Sequence, residues 1–300
     1  MTVLITGPTR GLGRAATLAM AGRTDLILVG RDGAAMDTVA AQARAKGSKV
    51  HTVGADLARL ADVRAAAARV RAEGFGPLRA LIANAGAMSA DTRQASADGY
   101  ELTFAVNYLA HAQLIGDLLD VFAAPARIVL LGSNTYSANF WRRLLHVPEA
   151  QWRDPVDLAR PATGPRNPGL RAGGVAYSNA KLALLYYAHE LQHHTAPGIG
   201  VSVFEPGWMP ATALGRGAPP ALQALSRAPG RLPGVSKPAR SGPALAALAL
   251  DDRWAHLRDG AFVLKDRVIR PRPVAFDRDR EQRLWAATGE LLDRAAAARQ

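Results

Sequence analysis

The N-terminal stretch constrains the fold more than any other part of the chain. An apolar run, Val3-Leu4-Ile5, leads through Thr6-Gly7-Pro8-Thr9-Arg10-Gly11-Leu12-Gly13 into Arg14-Ala15-Ala16, with Leu18, Ala19 and Met20 following. Strand, glycine-rich turn and helix in immediate succession are the opening of a dinucleotide-binding unit. Glycine is needed where the backbone turns tightly and approaches a pyrophosphate. The N–H groups and dipole of the helix N-terminus then face the anion. The glycines are spaced Gly-x-x-x-Gly-x-Gly, at Gly7, Gly11 and Gly13, rather than Gly-x-Gly-x-x-Gly.

Beyond this unit the pattern alternates. Apolar runs predict strands near 2–6, 26–30, 49–53, 79–83, 127–132, 200–205 and 261–264. Helical periodicity predicts helices near 11–22, 33–46, 59–73, 98–122, 174–195, 236–250 and 279–298. Such alternation implies an α/β fold: a single-domain, doubly wound Rossmann fold with a parallel seven-stranded sheet and helices on both faces. Right-handed crossovers put the strand C-termini on one edge, where the ligand crevice lies. The expected domain is 1–300. Two long segments interrupt it, an insertion at 134–173 and a Pro/Gly/Ala-rich stretch at 208–235, both following strand ends at the crevice. Long loops there are expected to act as a substrate lid, with Trp141, Trp152, Trp208 and Met209 as apolar elements.

Tyr177 and Lys181 stand four residues apart in Ala176-Tyr177-Ser178-Asn179-Ala180-Lys181, within the helix near 174–195. Residues at i and i+4 share a helix face. A lysine ammonium beneath a phenol favours the phenolate, so the Tyr177 pKa is expected to fall from about 10 toward neutrality. A phenol so poised exchanges protons with an alkoxide or alcohol.

The glycine turn and the Tyr177/Lys181 pair together resemble the short-chain dehydrogenase/reductase family, and further motifs follow in that family's order. Asp56-Leu57 follows the third strand. Asn84-Ala85-Gly86 follows the fourth. Asn107 lies in Phe104-Ala105-Val106-Asn107-Tyr108, Ser133 ends the fifth strand, and Pro206-Gly207 ends the sixth. The resemblance implies a catalytic set of Tyr177, Lys181, Ser133 and Asn107. Tyr177 would be the proton donor and Ser133 the second hydrogen bond to the substrate oxygen. Lys181 would also hold the nicotinamide ribose, and Asn107 a relay water. It further implies a cofactor set of Gly7, Thr9, Arg10, Gly11, Leu12, Gly13, Arg31, Asp56, Leu57, Asn84, Ala85, Gly86, Tyr177, Lys181, Pro206, Gly207 and Met209. Asn134, Tyr136 and Trp208 are candidate substrate contacts.

Ser133 and Tyr177 are 44 residues apart, a long gap for this family. With Asn107-Tyr108-Leu109-Ala110-His111 and Pro206-Gly207-Trp208-Met209-Pro210-Ala211-Thr212, it resembles the retinol dehydrogenase and protochlorophyllide reductase branch. That likeness implies a large apolar or polycyclic substrate. The expected reaction is carbonyl–alcohol interconversion. The alternatives are reduction of a conjugated carbon–carbon double bond, a non-redox use of the site (epimerase, dehydratase or cyclase), and a cofactor-sensing or nucleic-acid-binding module. Two departures are noted: Ala180 replaces the serine common before the lysine, and Gly132 replaces the first serine of a Ser-Ser pair.

Cofactor choice turns on Leu26-Ile27-Leu28-Val29-Gly30-Arg31-Asp32. A carboxylate at the strand end would suit the ribose 2′-OH of NAD. Here Arg31 comes first and Arg10 sits inside the glycine turn. Two guanidinium groups fit a 2′-phosphate, so NADP(H) is expected. Asp32 is read as a helix N-cap, since Gly33-Ala34-Ala35-Met36 opens a helix.

Composition sets the outer bounds. The chain has 300 residues, 49% hydrophobic, ample for one large core. It has no cysteine, so no disulfide framework and no thiolate metal site, and its seven histidines lack metal spacing. No metal is expected. The net charge of +12 comes mainly from arginines scattered along the chain rather than gathered in one block. Solvated helix faces are preferred over a nucleic-acid surface. No apolar run reaches membrane-spanning length and the first strand starts at Thr2, so a cytoplasmic enzyme is expected. The family's usual homodimers and tetramers pack helices near 98–122 and 174–195.

Overall fold

The structure is a computed structural model and describes residues 1–137, 148–164, 169–209 and 236–298. Strands β1 (Thr2–Thr6), β2 (Asp25–Gly30), β3 (Val50–Gly54), β4 (Leu78–Ala83), β5 (Phe122–Leu131), β6 (Ile199–Glu205), β7 (Ala261–Leu264) and β8 (Arg267–Val268) form one sheet in the order β3-β2-β1-β4-β5-β6-β7-β8. Pairing is parallel from β3 to β7. The chain winds outward in both directions from β1 and β4. Their C-terminal ends are therefore the switch point at which such sheets bind ligands.

Successive strand residues point to opposite faces, and both faces are buried. Leu4, Ile27, Val29, Leu81, Ile128, Leu130, Val201 and Val203 pack with α3 (Leu60–Ala72), α4 (Leu102–Phe104), α5 (Ala110–Leu118) and α7 (Gly169–His194). A short helix, α6 (Pro155–Leu158), precedes α7. Val3, Ile5, Leu26, Leu28, Ile82, Val129, Phe204 and Val263 pack with α1 (Gly11–Met20), α2 (Gly33–Arg44) and α8 (Pro238–Leu250). This is why the strands read as near-continuous apolar runs and not as apolar–polar alternation.

The architecture expected from the sequence is present, with one strand added. β8 pairs antiparallel with β7 across a two-residue turn, Lys265-Asp266, in which Lys265 has φ 58°. Without Gly or Asn at that position, the turn carries no sequence signal. The helix expected over 98–122 starts instead at Leu102. It runs through α4, a π-helical turn (Ala105–Leu109) and α5, then gives way to β5 at Phe122.

The final helix, α9 (Arg278–Ala297), lies across α7 and the π-helical turn. Trp285 stacks on Tyr187 and on His194, with ring centroids 5.5 and 4.1 Å away. The Tyr108 hydroxyl meets Thr288 Oγ1 at 2.6 Å, and Tyr100 donates to the Leu291 carbonyl at 2.6 Å. Part of the surface expected to meet another subunit is thus covered from within the chain. In the 134–173 segment, residues 148–164 are tied to the body. Gln151 N donates to Asn179 Oδ1 at 2.8 Å, Ser178 Oγ to the Pro148 carbonyl at 3.0 Å, and Trp152 packs edge-on against Tyr186. Trp141 and most of 208–235 lie outside the described residues, and the expected lid with them.

Two glycines separate backbone tolerance from packing. A Cβ on Gly242 would fall 2.4 Å from Ala15 Cβ and 2.7 Å from Ala15 C, because α8 presses against α1 there; a Cβ on Gly116 would meet nothing within 4 Å. Gly242→Val should lower stability by about 1–3 kcal/mol through overpacking. Gly116→Ala should raise it by about 0.5–1 kcal/mol through helix propensity. Urea midpoints of the two variants check both signs.

Candidate active site

The glycine turn sits at the switch point. Gly7 (φ 66°) and Gly11 (φ 54°) adopt the left-handed region that a side chain disfavours. Gly13 is required by space: a Cβ there would lie 2.1 Å from the Gly7 carbonyl oxygen and 2.5 Å from Asn84 Nδ2. The N-terminus of α1 carries no acidic residue in its first turn, and Arg10 supplies no side-chain cap. Its first amides and positive dipole end thus suit an anion. Arg10 and Arg31 are both exposed. Asp32 caps α2, accepting from Ala35 N at 3.0 Å, as its place before Gly33 suggested. Asp56 turns its carboxylate back onto Ala58 N at 3.0 Å, and Leu57 is buried.

Behind this turn lies a buried hydrogen-bond network that the sequence reading did not identify. Thr6 Oγ1 accepts from Asn84 N (3.0 Å) and Ala85 N (2.9 Å) and meets His111 Nε2 at 3.0 Å. His111 Nδ1 lies 3.1 Å from the Asn107 carbonyl oxygen. A carbonyl can only accept, so Nδ1 carries the hydrogen. Nε2 then accepts from the Thr6 hydroxyl, whose lone pairs serve the two amides. Burial pushes the His111 pKa down to about 4, and Lys181 adds to that in a smaller way, so the ring is neutral. Asn84 Nδ2 donates to the carbonyls of Thr6 (2.9 Å) and Gly7 (3.2 Å), fixing the turn from the β4 side.

Asn107 occupies the π-helical turn, a widening that often accompanies function. Its Nδ2 donates to the carbonyls of Ala87 (2.6 Å) and Thr103 (2.7 Å). Its Oδ1 is buried without a partner among the described residues, beside the open Cα of Gly86.

Ser133 ends β5. Its Oγ accepts from Thr135 N at 3.3 Å, and its hydroxyl is near enough to the Tyr177 phenol on α7 to favour the phenolate. Gly132 has a steric reason to lack a side chain: a Cβ would lie 2.4 Å from Val203 Cγ1. Ala180 is fully buried in the core. Lys181 is buried, donates to the Leu131 carbonyl at 2.7 Å, and stands 5.4 Å from the Tyr177 ring centroid. Three residues of the expected catalytic set therefore meet at the end of β5.

Their electrostatics differ from the expectation. Tyr177 is not pulled toward neutrality. Burial pushes the phenol above its ordinary value, the Glu205 carboxylate adds to this, and the Ser133 hydroxyl opposes both. Burial lowers Lys181 to about 8, partly offset by Glu205. The simple ammonium-below-phenol argument fails because both groups are desolvated and a buried carboxylate faces them.

Around Pro206-Gly207, Glu205 accepts from Gly207 N (3.0 Å) and from Asn134 N. The Pro206 carbonyl accepts from Ser241 Oγ at 2.8 Å, and the Trp208 carbonyl from Ser236 N at 2.7 Å. Trp208 leaves 46% of its surface exposed, and Met209 packs against the core on the α1 side. Tyr136 is buried, its hydroxyl accepts from Arg272 N at 3.0 Å, and its ring meets Phe262 edge-on.

The network yields two expectations. Thr6→Val keeps the shape but leaves the Ala85 amide unpaired and Asn84 N with only its bond to the Ile82 carbonyl, which should cost roughly 1–3 kcal/mol. A neutral buried His111 contributes stability that is present above the unfolded-state pKa of about 6.5 and lost as pH falls from there toward 4. The loss should reach roughly 3 kcal/mol by order of magnitude, from about 1.4 kcal/mol per pH unit. Urea unfolding between pH 7 and 4 should be less pH-dependent in His111→Gln than in the parent.

Comparison with known proteins places this geometry. The family model described as short chain dehydrogenase matches residues 1–140. The chain is 35% identical over 218 residues to the Streptomyces protein named "Putative daunorubicin C-13 ketoreductase DnrU", covering 72% of this chain and 68% of that one. It is 29% identical to human retinol dehydrogenase 13, covering 97% of this chain and 84% of the relative. A short chain dehydrogenase from Burkholderia cenocepacia, solved in complex with NADP, superposes with a TM-score of 0.65 at 24% identity, covering 88% of this chain and 95% of that one. The chain belongs to the short chain dehydrogenase family.

Proposed function

We propose that this protein is an NADP(H)-dependent oxidoreductase that interconverts a carbonyl and an alcohol on a large apolar substrate. The observation that carries the reading is the meeting of Ser133, Tyr177 and Lys181 at the end of β5, with β4 alone between that strand and the β1 strand that leads into the glycine turn. A bound nicotinamide supplies or accepts the hydride. The remaining chemistry belongs to the chain. The Ser133 hydroxyl lies beside the Tyr177 phenol, so one substrate oxygen can take a bond from each hydroxyl. In the reducing direction Tyr177 gives its proton to the developing alkoxide. A phenol held protonated by burial and by Glu205 suits that donor role. Lys181 lies beneath the Tyr177 ring with one donor spent on Leu131, and its other donors serve the ribose.

The fit of a dinucleotide rests on the positive-φ glycines, the close approach at Gly13, the uncapped N-terminus of α1 and the unpartnered Asn107 Oδ1. Preference for the 2′-phosphate rests on Arg10 and Arg31, neither of which forms an ion pair among the described residues, and on Asp32 being engaged as a helix cap. The apolar substrate class is supported by half-exposed Trp208 beside Gly207. The names of two relatives, for a daunorubicin ketoreductase and a retinol dehydrogenase, carry carbonyl–alcohol chemistry on carbon-rich molecules.

Fluorescence titration should show NADP(H) bound more tightly than NAD(H), and Arg31→Ala should lose about ten- to hundredfold of the NADP(H) affinity alone. Equal loss for both cofactors would refute the phosphate assignment. Tyr177→Phe should abolish turnover with NADPH affinity nearly unchanged, since the phenol acts on the reacting oxygen. Lys181→Met should lose both. Ser133→Ala should lose roughly a hundredfold in kcat. Stoichiometric NADPH consumption with a ketone separates this reading from a non-redox use of the site.

A further inference from the structure

We propose that Glu205 is a positioning residue of this active site: its buried carboxylate ties the turn that carries Ser133 to the turn that carries Gly207, and places fixed negative charge behind Lys181. The inference rests on the oxidoreductase reading for its kinetic consequences, but its geometry stands apart from it.

The side chain is 5% exposed at the last position of β6. It accepts from two backbone amides on different loops, Asn134 N after β5 and Gly207 N after β6. Ser133 immediately precedes Asn134, so the clamp fixes the backbone that aims the Ser133 hydroxyl. The main chain also joins here: Gly132 N donates to the Phe204 carbonyl at 2.9 Å, and Leu131 is in register with Phe204. Lys181 donates to the carbonyl of that same Leu131. The ammonium therefore sits on the strand neighbouring Glu205, one residue out of register.

Among the described residues, the ionisable groups that feel the Glu205 carboxylate are Tyr177 and Lys181 from α7, while the Lys265 side chain, after β7, runs past the neighbouring Gly207. The carboxylate favours the protonated form of both α7 groups. Two amide donors favour the charged form of a buried carboxylate, against the desolvation that opposes it. An uncompensated ammonium at the Lys181 position would otherwise give up its proton more readily. Glu205 so acts on the reaction through Ser133, Tyr177 and Lys181 and needs no contact with the substrate.

The test uses the full chain with isotopically labelled lysine, following the Lys181 side chain by NMR through a pH titration and assigning it with Lys181→Met. Glu205→Gln should move the Lys181 midpoint down from about 8 by about one pH unit. Glu205→Asp keeps the charge but reaches the two amides less well. It should leave the midpoint in place while turnover of a ketone falls roughly tenfold or more. The alkaline limb of kcat in Glu205→Gln should move with the midpoint. An unmoved midpoint and limb in Glu205→Gln would overturn the proposal and leave the redox reading intact. A shifted midpoint with no turnover of any carbonyl, by the parent as well, would instead overturn the redox reading. If Glu205→Gln does not fold, the aspartate variant decides: a midpoint displaced as far as one pH unit despite the retained charge overturns the proposal.

Discussion

The structure hangs on one hydroxyl. Thr6, at the end of the first strand, accepts from the amides of Asn84 and Ala85 just after β4 and donates to His111 on α5. Those bonds close the sheet at its switch point, where parallel strands diverge and backbone amides would otherwise be orphaned in the interior. They also hold three functional parts in fixed relation: the glycine turn after β1, the Asn84 side chain that braces it, and the π-helical turn bearing Asn107. A loose crevice would bind a dinucleotide poorly, and the network leaves the backbone little room to move.

A second constraint is charge in the interior. Lys181, Tyr177 and Glu205 are brought together under the end of β5, where each alone would be costly to bury in its charged form. Together they offset one another. The lysine finds a backbone carbonyl, the carboxylate two backbone amides, and the phenol a serine. The outcome is a phenol that keeps its proton and an ammonium only modestly committed to its own. That balance is set by desolvation as much as by the lysine, which is why spacing along one helix misjudged the direction for Tyr177.

Much of the fold was legible because it rests on local rules. Period and composition located the strands β1 to β7 and the main helices, since strands buried on both faces must be apolar throughout. Asp32 was readable as a cap because capping depends on the next three residues only. The features that escaped were non-local or lacked a marker residue. β8 turns on Lys265-Asp266, with no glycine or asparagine to announce it. The partner of the Tyr136 hydroxyl, Arg272 N, is 136 residues away in sequence. The partnerships of Thr6, His111 and Glu205 join residues far apart in the chain and have no local marker.

The sequence by itself determined the class of architecture, the position of the glycine turn and the identity of the side chains that make up the candidate site. Each of these depends on residue type and short spacing. Tertiary structure alone decided how those side chains are tuned: which tautomer His111 holds, which carboxylate faces Lys181, and which way the Tyr177 phenol is pushed. Those properties depend on burial and on partners from other strands, and distance in space is not written in distance along the chain.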